Sequence, residues 1–169
     1  MTWAHGKNFV TKSHRAAYPA ISPLRPQESQ QGRVVLVTGG SAGIGFSISK
    51  GFATASAATV IIAGRRESQL ASSVAALEAE FPNTKFLTRQ LDIADEASIE
   101  ALFAWLADKN IVLDVLVLNA AQIGVEATEL DQGHRQIWSD FVSNVRSYAI
   151  FADLFYHQAK HDPNKKLVR

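Results

Sequence analysis

Val-Val-Leu-Val-Thr-Gly-Gly-Ser-Ala-Gly-Ile-Gly-Phe, residues 34–46, is the stretch around which the chain is organised. Its leading apolar residues, Val34 to Val37, fit a fully buried parallel strand. Glycines at 39, 40, 43 and 45 follow at once. Phe46 to Ala58, rich in Ala, Ser, Ile and Phe, then reads as a helix. Strand, glycine turn and helix form a device for holding a phosphate. Glycine lets the chain turn sharply and lets a ligand approach the backbone. The free N–H groups at the helix start, with the positive end of the helix dipole, face the anion. The same pattern also serves a tight strand–helix turn with no ligand.

Gly39, Gly43 and Gly45 stand at Thr-Gly-x-x-x-Gly-x-Gly spacing, wider than the common dinucleotide fingerprint. This spacing resembles the short-chain dehydrogenase/reductase family. The resemblance implies an α/β fold, a Rossmann-type doubly wound parallel sheet, and a nicotinamide dinucleotide cofactor. It also implies cofactor contacts from the loop at Gly39, Ser41, Gly43, Ile44 and Gly45.

The whole-chain numbers agree with such a domain. The 169 residues are 47% hydrophobic and 20% charged, a soluble globular composition with enough chain for a core. A net charge of +1 makes no case for nucleic acid or acidic membranes. The absence of cysteine excludes disulfides and Cys-ligated metals and fits a reducing, cytoplasmic compartment. No apolar run reaches membrane-spanning length, and no signal-peptide core is present. Lys7, Lys12 and Arg15, in an acid-poor start, leave a mitochondrial presequence open.

Residues 1–32 lack a period, and Pro19, Pro23 and Pro26 interrupt regular structure. They read as an irregular arm, ordered in part if Trp3, Phe9 and Tyr18 dock on the domain at 33–169. Tyr18 to Pro26 resembles the arm leading into the first strand of some fungal family members; a plain disordered leader fits equally.

Thr59 to Ala63 is a second buried strand, followed by Gly64-Arg65-Arg66. In dinucleotide folds the end of this strand meets the adenosine ribose, where an acidic residue binds the 2′-hydroxyl and repels a 2′-phosphate. Gly64 holds the acidic position here, and arginine offers paired donors and a permanent charge to a phosphate. The expectation is therefore NADP(H), with Arg65 as the contact. A solvated arginine pair at the start of the next helix is the plainer reading, at an end that disfavours cations. That helix spans 67–81, with Leu70, Val74, Leu77 and Phe81 at helical spacing. A third strand covers 85–91. Asp92 follows it, and Leu91 to Ile93 resembles the family's adenine-contacting Asp-Val pair; a turn or cap role is the alternative. A helix at 97–109 and a strand at 113–118 come next. Asn119-Ala120-Ala121 resembles the family's Asn-Ala-Gly, with Ala121 in place of glycine, and implies that Asn119 steadies the central strand and lines the cofactor site.

One long helix is predicted over 133–160, with Phe141, Val145, Tyr148, Phe151, Ala152 and Phe155 on its apolar face. Within it, Asn144 matches the family asparagine that belongs to the catalytic group and holds a water of the proton relay. An exposed or internally bonded Asn is the alternative. Lys166 to Arg169 reads as the opening of a fifth strand.

The family's catalytic Ser, Tyr and Lys fall beyond that strand, and the sequence given stops before them. Tyr156 and Lys160 fit Tyr-x-x-x-Lys literally. They share the predicted helix with Asn144, and twelve residues at about 1.5 Å each put Tyr156 roughly 18 Å along the axis. A proton relay needs contacts of about 3 Å, so a helix-end pair is the expected role. In the strand order 3-2-1-4, strand four would be an exposed edge. The resemblance implies an NADP(H)-dependent oxidoreductase acting on the carbonyl or alcohol of a small molecule. The arm adds a hint of fungal secondary metabolism, and homo-oligomerisation or completion by a partner chain is open. The competing reading is a catalytically inert dinucleotide-binding or assembly module.

Overall fold

Strands of a sheet covered on both faces are near-continuous apolar runs, because alternate side chains point to opposite layers. The computed structural model describes residues 18–122, 129–158 and 166–168. Among these, one parallel sheet contains β1 (Val34–Thr38), β2 (Thr59–Gly64), β3 (Lys85–Gln90), β4 (Val115–Val117) and β5 (Lys166–Val168). Their order is β3-β2-β1-β4-β5, a Rossmann-type α/β arrangement. Leu36 lies opposite Ile61 and Leu116, and this row faces Ile99, Leu102 and Leu106 of α3 (Glu96–Asp108) and Phe151 of α5 (Ser147–Tyr156). Val35, Val37, Val60 and Ile62 face the other way, onto Ala53 of α1 (Gly43–Thr54) and Leu70 and Leu77 of α2 (Glu67–Glu80). Burying each such Leu or Ile is worth about 1.5–3 kcal/mol. A one-residue slip would exchange the two layers, so these rows fix the register.

The elements lie close to their expected bounds, with informative shifts. The first helix begins at Gly43, inside the glycine motif, and ends at Thr54, where the chain turns through Ser56 at φ 68°. The third helix begins at Glu96 because Asp95 caps it, its carboxylate accepting from the Ala97 N–H at 3.2 Å. The fourth strand contracts to Val115–Val117.

The single helix expected over 133–160 is a composite. A helical segment, α4 (Glu129–Phe141), is kinked at Gly133, whose φ of 75° and ψ of 157° are not helical. A π-turn, Val142–Arg146, then leads directly into α5. The π-turn carries an extra residue per turn and so rotates the face of α4 relative to that of α5. Hence Phe151 and Phe155 are buried as expected, whereas Phe141 and Val145 are 45% and 44% exposed. The positions that continue the buried row are Ser143 and Ser147.

The fifth strand also corrects the expected edge. Lys166–Val168 pairs parallel with Val115–Val117, so β4 has neighbours on both sides and β5 takes the edge. In the arm, Pro19 and Pro26 open two short 3-10 turns, Pro19–Ile21 and Pro26–Glu28. The arm then docks through Gln30, whose N–H donates to the Ala55 carbonyl at 2.7 Å. Trp3 and Phe9 lie outside the described residues. Among the described residues no helix is long and apolar enough to cross a membrane, and no acidic or histidine cluster could hold a metal.

Candidate cofactor-binding site

β1 has β2 on one side and β4 on the other, so the chain winds away in opposite directions from its C-terminal end. Such a reversal opens a crevice beyond the strand ends. A cleft of about 1160 Å³ lies there. It exceeds the roughly 300–1,000 Å³ of ordinary small-molecule pockets, which suits a long ligand such as a dinucleotide.

The glycine loop forms its floor. Gly39 and Gly43 have φ of 66° and 52°, a region costly for residues with a Cβ. Gly45 is required for closeness: a Cβ there would lie 2.2 Å from the Gly39 carbonyl oxygen and 2.6 Å from Asn119 Nδ2. The first turn of α1 is thereby pressed against the end of β1. Its N-cap residue is Ala42, which has no side-chain oxygen to offer, and its first turn has no acid. The N–H groups that open the helix have no intrahelical acceptor. In α3 the Asp95 carboxylate fills that role; in α1, which opens into the cleft, no side chain caps the first turn. Ser41 fixes the loop from the other side. Its carbonyl accepts from Ser73 Oγ at 2.8 Å and Gln69 Nε2 at 3.4 Å, both on α2.

Arg65 and Arg66 stand exposed on the cleft rim at the end of β2. Gln90 Nε2 donates to the Arg65 carbonyl at 3.1 Å and ties this corner to β3. Neither arginine enters an ion pair among the described residues. A Cβ on Gly64 would meet Ser41 Oγ at 3.6 Å and Leu70 Cδ2 at 3.7 Å, ordinary contacts. Sterics therefore accept a Cβ at 64. Asp92 takes the expected turn role, its Oδ1 accepting from the Ala94 N–H at 3.0 Å, and the residue also lines the cleft.

On the β4 side Asn119 Nδ2 donates to the Thr38 carbonyl at 2.9 Å. The Thr38 hydroxyl accepts from the Asn119 and Ala120 N–H groups, each at 3.0 Å, and donates to the Val117 carbonyl at 3.3 Å. One buried hydroxyl thus stitches the end of β1 to that of β4. Asn144 lies in the π-turn and faces the segment at Gln122 rather than the cleft. Its Oδ1 accepts from the Gln122 N–H at 2.8 Å and its Nδ2 donates to the Gln122 carbonyl at 2.6 Å. The neighbouring Tyr148 hydroxyl donates to the Ala120 carbonyl at 3.0 Å.

The fold therefore gathers Gly39, Ser41, Ile44, Gly45, Arg65, Asp92 and Asn119 around one cleft. Gly43 opens the helix beside it, and Asn144 reaches it through Gln122. Tyr156 is 60% exposed at the far end of α5, with no helix break between it and Asn144; Lys160 lies outside the described residues. Sequence reasoning missed Thr38, Gln69, Ser73, Gln90 and Gln122. Thr38 had a signal, a hydroxyl between a buried strand and a glycine turn. The others act through contacts distant in sequence and had none.

Comparison with known proteins places this geometry. The family model described as "short chain dehydrogenase" matches residues 33–162. The short chain dehydrogenase pigC of Monascus ruber is 34% identical over 158 residues, covering 92% of this chain and 52% of that protein. Short chain dehydrogenase/reductase AacuD of Aspergillus aculeatus is 36% identical over 120 residues, 71% of this chain and 37% of that one. Among solved structures, a 3-oxoacyl (acyl-carrier-protein) reductase from Agrobacterium tumefaciens C58 aligns with a TM-score of 0.66 at 25% identity, covering 75% of this chain and 47% of that one. The chain thus spans between about a third and a half of the length of these relatives. With the glycine loop, the sheet order and the match over 33–162 in agreement, the chain belongs to the short chain dehydrogenase family.

Proposed function

We propose that this chain is the dinucleotide-binding part of an NADP(H)-dependent oxidoreductase that acts on a carbonyl or alcohol of a small molecule. The observation that carries the reading is the uncapped start of α1, opening from a glycine loop into a cleft rimmed by Arg65 and Arg66. The loop N–H groups would hold the pyrophosphate. Arg65 would hold the 2′-phosphate, Asp92 the adenine, and Asn119 would keep the β1–β4 crevice open. The bound nicotinamide supplies or accepts the hydride, and the residues of this chain bind and orient it. Asn144 enters the catalytic group as a positioning residue, through the segment it clasps at Gln122. The related Agrobacterium reductase was solved with NADP bound, which favours the same cofactor here. Relatives from Monascus and Aspergillus favour a fungal metabolic role, and cytoplasmic location goes with this reading. So does a division into an arm at 1–32 and a domain at 33–169, where the family match begins.

Titration of the purified chain with NADPH and NADH, followed by calorimetry, tests the reading. NADPH should bind at least about tenfold more tightly, one charge-assisted contact's worth. Binding of neither dinucleotide would refute it. A panel of ketones then reports turnover. Oxidation of NADPH supports the reductase assignment, and tight binding with no oxidation favours the inert module.

A further inference from the structure

We infer that the side-chain carboxamide of Gln122 is a contact for the nucleoside at the end of the cleft opposite the arginines, the nicotinamide riboside of the bound cofactor. This rests on the dinucleotide reading above. The cleft runs from Arg65 and Asp92, across the glycine loop, to Ala121, Gln122 and Ser143. With the pyrophosphate at the loop and the 2′-phosphate at Arg65, the second nucleoside falls beside Gln122.

Gln122 is held more firmly than a loop residue needs to be. Asn144 clasps its backbone through both N–H and carbonyl. Its side chain is fixed separately: Ser143 Oγ donates to Oε1 at 3.1 Å, and Nε2 donates to Ser139 Oγ at 3.3 Å. A primary amide has two N–H donors and two acceptor lone pairs. One of each has no partner among the described residues. Fixing a glutamine side chain costs entropy of about 1–2 kcal/mol. Here the protein itself meets that cost before any ligand arrives, which is preorganisation. The spare N–H and lone pair complement what a carboxamide or a ribose diol presents.

The test compares NADPH with adenosine 2′,5′-bisphosphate, which has the arginine-facing half of the cofactor and lacks the other. Gln122→Ala should weaken NADPH about three- to tenfold, the range of one hydrogen bond, and leave the bisphosphate within about twofold. Gln122→Met, which keeps the side-chain length, should do the same and replaces the alanine variant if that melts early. Equal loss for both ligands, or unchanged NADPH binding, would overturn the assignment. Were the unmodified chain to bind neither ligand, the dinucleotide reading itself would fall. If it bound both while the Gln122 variants matched it, only Gln122's role would.

Discussion

Adding one methyl group at Gly45 should unfasten the whole cofactor loop. In Gly45→Ala the new carbon would stand 2.2 Å from the Gly39 carbonyl oxygen and 2.6 Å from Asn119 Nδ2. A tolerated carbon–oxygen contact is about 3.3 Å or more, so roughly 1 Å must be made up by moving α1 off β1. The obstructing atoms are backbone and an anchored amide, not the free end of a flexible side chain. Overpacking of this kind costs about 1–3 kcal/mol. Displacing Asn119 also weakens its 2.9 Å bond to the Thr38 carbonyl, worth about 1 kcal/mol. The better helix propensity of alanine returns about 0.5–1 kcal/mol. The net loss is about 1–3.5 kcal/mol, a fall of roughly 2–14 °C in Tm for a chain of this size. Gly51→Ala is the control on the same helix. A Cβ there meets nothing within 4 Å, so it should raise stability by about 0.5–1 kcal/mol. Thermal melts of both variants, with NADPH titrations, provide the readout. Opposite signs are expected, with at least about a tenfold loss of NADPH affinity for Gly45→Ala. A Gly45→Ala protein that melts with the unmodified chain and binds NADPH equally well would refute the packing argument.

Arg65→Ala should lower NADPH affinity about tenfold, less than a buried charged contact because the arginine is exposed, and leave NADH within about twofold. Equal losses for both cofactors would move the 2′-phosphate contact elsewhere. Gly64→Asp should reverse the preference toward NADH, since a Cβ at Gly64 makes only ordinary contacts and a carboxylate there repels the phosphate; retained NADPH preference in the titrations would contradict this. Thr38→Val keeps the shape and strands the Asn119 and Ala120 N–H groups, costing about 2–4 kcal/mol in urea unfolding. A loss under about 0.5 kcal/mol would mean those donors find other acceptors.

The buried strands were legible because their apolar runs admit one explanation in a two-sided sheet, and the glycine spacing alone located the loop. The sheet order was legible only as far as β4. The β5 pairing rests on three residues whose sequence, Lys-Leu-Val, has no distinctive period. The π-turn was invisible for a related reason: periodicity assumes one rise and one turn throughout, and an inserted residue moves Phe141 and Val145 outward without altering composition. At the site, the glycine-loop residues that line the cleft were found from spacing. Those that hold the site in shape, such as Ser73 under Ser41 and Gln90 behind Arg65, depend on partners 32 and 25 positions away. No local pattern encodes such a distance.

The tie from Ser73 and Gln69 to the Ser41 carbonyl has a kinetic side. A loop already fastened to α2 does not have to close over an arriving dinucleotide, so capture needs no slow rearrangement at that point. Entry should proceed at the rate of productive collisions, similar for NADPH and NADH apart from charge steering at the rim. The difference in affinity between them would then reside in residence time, set by how long the 2′-phosphate stays with its arginine. The protein would tell its two dinucleotides apart by how slowly it lets one of them leave.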